Sequence, residues 1–165
     1  MASTVSSTHL PPIGAPERHE VGKSLQATLV ELIDLGLAGK QLHWSVVGPH
    51  FRSLHLQLDE LVDAWRELAD TVAERAVAID AWPDGQATAV AGGRDVGEVA
   101  VGPVADHAVV RELARRIADV AERVRTRMDR IGDLDLASQD VLVEVVRALE
   151  QQLWMVRAQL PAAGS

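Results

Sequence analysis

The sequence predicts an all-α protein folded as one four-helix bundle. Three observations carry that reading. The hydrophobic share is 47%, yet only one Phe and no Tyr are present, so the core is built mainly from Leu, Val, Ala and Ile, with helix-favouring Arg, Glu and Gln on the other faces. Apolar residues recur at steps of three and four along four long stretches, the spacing that lines one side of a helix. Finally, the connections between those stretches are short, long and short, as expected for two antiparallel hairpins joined by a crossover.

Residues 1–16 (MASTVSSTHLPPIGAP) are rich in Ser, Thr and Pro without apolar periodicity, so a flexible N-terminal tail is expected there, with the bundle over 17–160 and a short C-terminal tail over 161–165. The first helix is predicted from Glu17 to about Val46, where Leu25, Leu29, Leu32, Gly36, Gly39 and His43 form one stripe. Its two glycines cost helix propensity, but without a Cβ they let a neighbouring helix approach closely. The break Gly48-Pro49-His50 ends this helix, and a second runs from about Phe51 to Asp80 with Leu54, Leu58, Leu61, Trp65, Leu68, Val72 and Ile79 inward, until Pro83-Asp84-Gly85 stops it. About 21 residues follow, long for a connection in a compact domain and able to cross the length of a bundle, with a short helical turn expected near Asp95 to Val99. The third helix, about Asp106 to Ile131, carries Val110, Leu113, Ile117, Val120, Val124, Met128 and Ile131. The fourth, about Leu136 to Leu160, carries Leu142, Val145, Leu149, Leu153 and Val156. Hairpin, crossover, hairpin is the ferritin-like version of the four-helix bundle.

The absence of cysteine excludes a disulfide framework, thiolate metal sites and thiol catalysis. The first 17 residues hold no Lys or Arg and no long apolar run, so no export signal is expected and the protein is read as cytoplasmic, without a membrane role. A formal charge of -8 argues against general polyanion binding and suits a protein that attracts cations.

Five side chains suggest a metal site. His43 and His55 each lie six residues from Pro49, so an antiparallel hairpin sets both rings at one height. Asp70 and Glu74 are one helical turn apart, and His55, Asp59, Asp70 and Glu74 fall within roughly a 100° arc of one helix. The two pairs are nevertheless about 16 Å apart along it at 1.5 Å per residue. One ion cannot touch both. Two copies packed antiparallel about a two-fold axis near residues 64 and 65 bring the His55/Asp59 end of each against the Asp70/Glu74 end of the other, forming two identical shared sites. Imidazole plus carboxylate with open positions suits Fe(II), and carboxylate charge stabilises Fe(III) over Fe(II).

The run Lys40-Gln-Leu-His43-Trp44-Ser-Val-Val-Gly48-Pro-His-Phe51-Arg-Ser-Leu-His55-Leu-Gln-Leu-Asp59-Glu60, followed by Asp70-Thr-Val-Ala-Glu74-Arg75, closely resembles the Dps family, the miniferritins named as DNA-binding proteins from starved cells. Similar organisation extends over about residues 17–160, and Trp154 and Arg157 also look family-like. The resemblance implies a hollow homo-dodecamer, built from two-fold dimers, that binds iron ions at intersubunit sites. It also implies oxidation of Fe(II), preferentially with hydrogen peroxide, and storage of ferric mineral, with no organic cofactor. By that resemblance His43, His55 and Asp59 belong to one subunit's half of the ferroxidase centre, and Asp70 and Glu74 to its neighbour's half. Lys40 and Arg75 are expected to make salt bridges across the dimer. Trp44 is a candidate radical trap, with packing in the interface as the simpler role.

Secondary candidates are Glu60 and Asp63 as a mineral nucleation surface, against an ordinary polar helix face, and Asp133, Asp135 and Asp140, which the resemblance suggests line three-fold pores. Capping accounts for some of these: Asp135 can cap the last helix and Asp140 sits near its N-terminus. DNA binding is expected to be weak or absent, since the first basic residue is Arg18 and none follows Arg157. The arginines of the third helix alternate with acids and suggest a salt-bridged surface. His9, His19, His50 and His107 belong to no constellation. The competing readings are a nucleoid-compacting structural protein, which lacks its basic tails, and an intrachain di-iron oxygenase, which lacks any Glu-x-x-His pair.

Overall fold

The computed structural model describes residues 13–93 and 97–160. Their elements run α1 (Ala15–Ser45), β1 (Val46–Val47), α2 (Phe51–Ala78), α3 (Ala87–Gly92), β2 (Val104–Ala105), α4 (Asp106–Ile131) and α5 (Leu136–Arg157). α1 pairs with α2 and α4 with α5 as antiparallel hairpins, and the hairpins pack face to face through α1 on α4 and α2 on α5. The fold is ferritin-like, with residues 79–105 as the crossover.

The four apolar stripes converge on one core. Leu25, Leu32, Leu58, Trp65, Val72, Leu113, Ile117, Val120, Val124, Leu142 and Leu149 are all essentially inaccessible to solvent. Trp65 is the largest of these, and its indole N–H donates to Gln152 Oε1 at 2.8 Å, so the one polar atom it buries is satisfied. Of the two glycines on the α1 stripe, Gly39 admits a close neighbour: a Cβ there would lie 2.7 Å from the Trp65 ring and 2.8 Å from Val62 Cγ2. Gly36 faces no such neighbour within this chain.

Several boundaries differ from expectation. α1 starts two residues early, at Ala15, because Pro16 fits the first helical turn, where its missing N–H costs nothing. Of the expected tail, residues 1–12 lie outside the described residues, as do 161–165. The short crossover helix lies at Ala87–Gly92 rather than near Asp95 to Val99, anchored by buried Val90. Residues 94–96 are outside the description and Gly97–Val99 are not helical, Gly97 taking φ +73°. α5 ends at Arg157, three residues early. A two-residue parallel pair, Val46 with Val104 and Val47 with Ala105, ties the α1–α2 turn to the end of the crossover. No periodicity announced it, since two residues are too few to show one.

The α4 surface is only partly the self-paired surface expected. Arg115 does bridge Glu112 and Asp119 along the helix. Arg123 and Arg127 instead reach across to buried Glu31 of α1, and Arg116, 1% exposed, bonds Glu112 and the Gly97 carbonyl. These arginines hold α4 against α1 and the crossover. Among the described residues no helix is long and apolar enough to cross a membrane.

Candidate metal centre

The site is assembled by the tight turn between α1 and α2. Gly48 takes φ +132°, a conformation that side-chain-bearing residues rarely adopt, and the chain reverses within Gly48-Pro49-His50. His43, in the last turn of α1, then faces His55, in the first turns of α2. Each ring bonds through Nδ1 to the other residue's backbone carbonyl, at 3.0 Å in both directions. A carbonyl only accepts, so Nδ1 carries the proton in both rings and each Nε2 keeps its lone pair for a metal. The rings stack at 3.6 Å between centroids with 24° between planes, and Phe51 covers His55 at 5.0 Å.

Asp59, one turn beyond His55, completes a cluster of three in which one ring nitrogen of each histidine and a carboxylate oxygen all lie within 4.8 Å of one another, the one such group among the described residues. Its Oδ1 is 3.3 Å from His43 Nδ1 and also receives the Lys40 ammonium. The Lys40 hydrogen bond holds the Asp59 carboxyl below its ordinary range against a smaller opposing effect of burial. The carboxylate is therefore ionised at neutral pH. His43 is 7% exposed, whereas His55 and Asp59 are half-buried and open on one side.

Asp70 and Glu74 do not join this cluster. They lie on the same uninterrupted helix and are exposed, with Asp70 about 16 Å further along than Asp59. The chain thus carries a three-donor group at one end of an α2 face and a carboxylate pair at the other.

Glu60 and Asp63 are exposed, Asp63 pairing with Arg66 at 3.2 Å, and Trp44 is 71% exposed beside a groove lined by Leu37, Gln41 and Val101. Asp133 is exposed. Asp140 is exposed too, beside Glu144 and Arg147. Asp135 caps α5, accepting from Ser138 N at 3.1 Å and from Arg75 Nη2 at 2.7 Å. Burial pushes its carboxyl up, but the Ser138 and Arg75 hydrogen bonds outweigh it and the net shift is downward. Within the chain Lys40 pairs with Asp59 and Arg75 with Asp135. Lys40 is three residues before His43, a spacing that already placed it on the ligand face. His50 and His107, given no role from sequence, flank the carboxylate of Asp106.

Two hairpins joined by a crossover, with paired imidazoles and a carboxylate at the mouth of the first hairpin, define a ferritin-like protein, and the ferritin-like domain family matches residues 22–162. The chain is 34% identical over 160 residues to the DNA protection during starvation protein of Mycolicibacterium smegmatis, covering 97% of this chain and 87% of that one. Its structure is similar to Mycobacterium smegmatis Dps in its tetragonal form, with a TM-score of 0.90, 34% identity and 98% of both chains covered. It is likewise similar to DpsA14 from Streptomyces coelicolor, with a TM-score of 0.89, 34% identity, and 99% of this chain and 98% of that one covered. The chain belongs to the Dps family.

Proposed function

We propose that this protein is a ferroxidase and iron-storage miniferritin, oxidising Fe(II) with hydrogen peroxide at sites shared between two subunits and keeping the ferric product inside a dodecamer in the cytoplasm. Membership of the Dps family implies iron storage and DNA protection in general terms. The observation that carries the finer reading is the three-donor cluster His43–His55–Asp59 standing alone, with its natural complement, Asp70 and Glu74, out of reach on the same helix.

In this mechanism His43 and His55 offer Nε2 to Fe(II), each ring fixed by its Nδ1 bond to the opposite carbonyl. Asp59 supplies a negative oxygen, and the Lys40 ammonium that now rests on it must yield as the metal ion takes over its charge-balancing role. Asp70 and Glu74 of a neighbour add two more carboxylates. The extra negative charge favours Fe(III) and lowers the barrier to electron loss. Two Fe(II) ions give up one electron each; the peroxide O–O bond breaks, takes both electrons and two protons, and leaves as two waters. No hydroxyl radical is released, so storage and detoxification are one reaction. Trp44, next to His43 in the chain, would quench a stray oxidising equivalent or pack between subunits. Asp133 and Asp140 remain free to draw cations through a pore, Asp135 being engaged by its cap and Arg75. Glu60 and Asp63, both exposed, are the candidate nucleation surface.

The test is anaerobic Fe(II) titration followed by peroxide, comparing the parent with His43→Ala/His55→Ala. The parent is expected to oxidise iron stoichiometrically and to keep a soluble ferric core; a double variant that does the same would remove the reading. Protection of DNA, on this account, comes from removing iron and peroxide rather than from coating the duplex. Retarded DNA migration at physiological ionic strength and neutral pH would favour the nucleoid-compacting alternative.

A further inference from the structure

We infer that Asp106, in the first turn of α4, is a positioning residue for the His43–His55–Asp59 group, acting through the turn that joins α1 to α2. The inference rests on the function proposed above. The Asp106 residue is 7% exposed, and its carboxylate is the point on which that turn is folded. Oδ2 accepts the backbone N–H of His50 at 2.9 Å and stands 3.0 Å from His50 Nδ1. Oδ1 accepts the backbone N–H of His107 at 2.7 Å, with His107 Nδ1 at 3.6 Å. Gly48 lies so close that a Cβ there would meet Asp106 Cγ at 2.8 Å, on a backbone already at φ +132°. Just upstream, Val46 and Val47 pair with Val104 and Ala105. Residues 46–50 are thereby fastened to 104–107 by a two-residue strand pair at one end and a buried carboxylate at the other.

That fastening matters because the metal-binding group depends on the register of α1 against α2. The two imidazole-to-carbonyl bonds are reciprocal, so sliding one helix by a single residue, about 1.5 Å, takes both off their present geometry together. Ligand geometry tolerates only about 0.5 Å before affinity suffers. The α1–α2 turn sets this register, and Asp106 is one of its two links to the start of the second hairpin, the strand pair being the other. Without that carboxylate the His50 N–H loses its acceptor and Gly48 loses the surface it packs on. The hydrogen bond from the His50 backbone also holds the Asp106 carboxyl below its ordinary range, so the clamp is charged at neutral pH.

The experiment uses Co(II), whose visible absorption reports coordination number, titrated into the full-length assembled protein. Asp106→Ala is expected to weaken Co(II) binding about tenfold and to alter the absorption band, because partners outside the ligand shell commonly contribute that much. Asp106→Asn keeps one acceptor oxygen, which can take the His50 or the His107 N–H but not both, so partial recovery is expected. Gly48→Ala strains the same turn from the other side and is expected to act in the same direction, with a double variant less than additive. Val145→Ala, a buried α5 residue away from the turn, lowers stability and is expected to keep the parent's affinity and spectrum. Parent-like Co(II) binding in folded Asp106→Ala and Gly48→Ala overturns the inference, as does equal weakening by Val145→Ala. A parent that binds no Co(II) through His43 and His55 removes the proposed function itself, and this inference with it.

Discussion

If the centre is shared between chains, two defective chains should repair each other. One variant, His43→Ala/His55→Ala, lacks the imidazole half; the other, Asp70→Ala/Glu74→Ala, lacks the distant carboxylate half. In the structure the two halves sit on one unbroken helix, Asp59 and Asp70 about 16 Å apart, whereas ligand atoms around one ion stand about 3–4 Å apart. No side chain of this size closes that gap, so neither variant alone should retain an intact site. Co-expressed in equal amounts and paired at random about a two-fold axis, half of the dimers are mixed. In each mixed dimer one site receives both intact halves and the other receives neither, so about one quarter of the parent's sites should return. The assay is the initial rate of Fe(II) oxidation by peroxide per chain, measured on the co-expressed protein and on the two variants mixed after separate folding. Recovery near one quarter in the first, with far less in the second where subunits do not exchange, is expected. No recovery in the co-expressed protein would show that the carboxylates and imidazoles do not meet across the interface.

Two further expectations concern stability. Gly39→Ala gains about 1 kcal/mol of helix propensity but drives a methyl into Trp65 and Val62, a clash costing about 1–3 kcal/mol, so urea unfolding should show a net loss; a net gain would mean that Trp65 moves easily. Asp135→Ala removes the α5 cap and leaves half-buried Arg75 without its carboxylate, and about 2 kcal/mol of destabilisation at pH 7 is expected. Because the folded carboxyl lies below its unfolded value, its contribution is present above the ordinary carboxylate range and fades as pH falls through the folded value. Parent and variant should therefore converge in strongly acidic urea titrations, and a constant gap down to pH 2 would contradict the assignment.

The four long helices were legible because each repeats its apolar residues about every 3.6 positions over 22 residues or more, and only a helix buries such a stripe on one side. The imidazole pair was legible for a similar local reason: six residues on either side of Pro49 fix its two members opposite each other. The intrachain partner of Lys40 was not: it pairs with Asp59, and spacing marks a shared face without saying which acid a flexible ammonium will choose. The crossover helix was misplaced, since the short stretch Ala87–Gly92 carries one buried residue and no period to detect. Glu31 meets Arg123 and Arg127 across more than 90 residues, and Asp106 meets His50 across 56.

What the sequence determined by itself is therefore the helical class, the hairpin pairing and the meeting of His43, His55 and Asp59, all set by contacts within a turn or a hairpin, where chain geometry leaves few alternatives. Only the tertiary structure decided which charges were spent in holding the bundle together, and how the second hairpin grips the turn beneath the His43–His55–Asp59 group. Those contacts join residues far apart along the chain, and their partners are chosen by the packing of whole helices rather than by any local spacing.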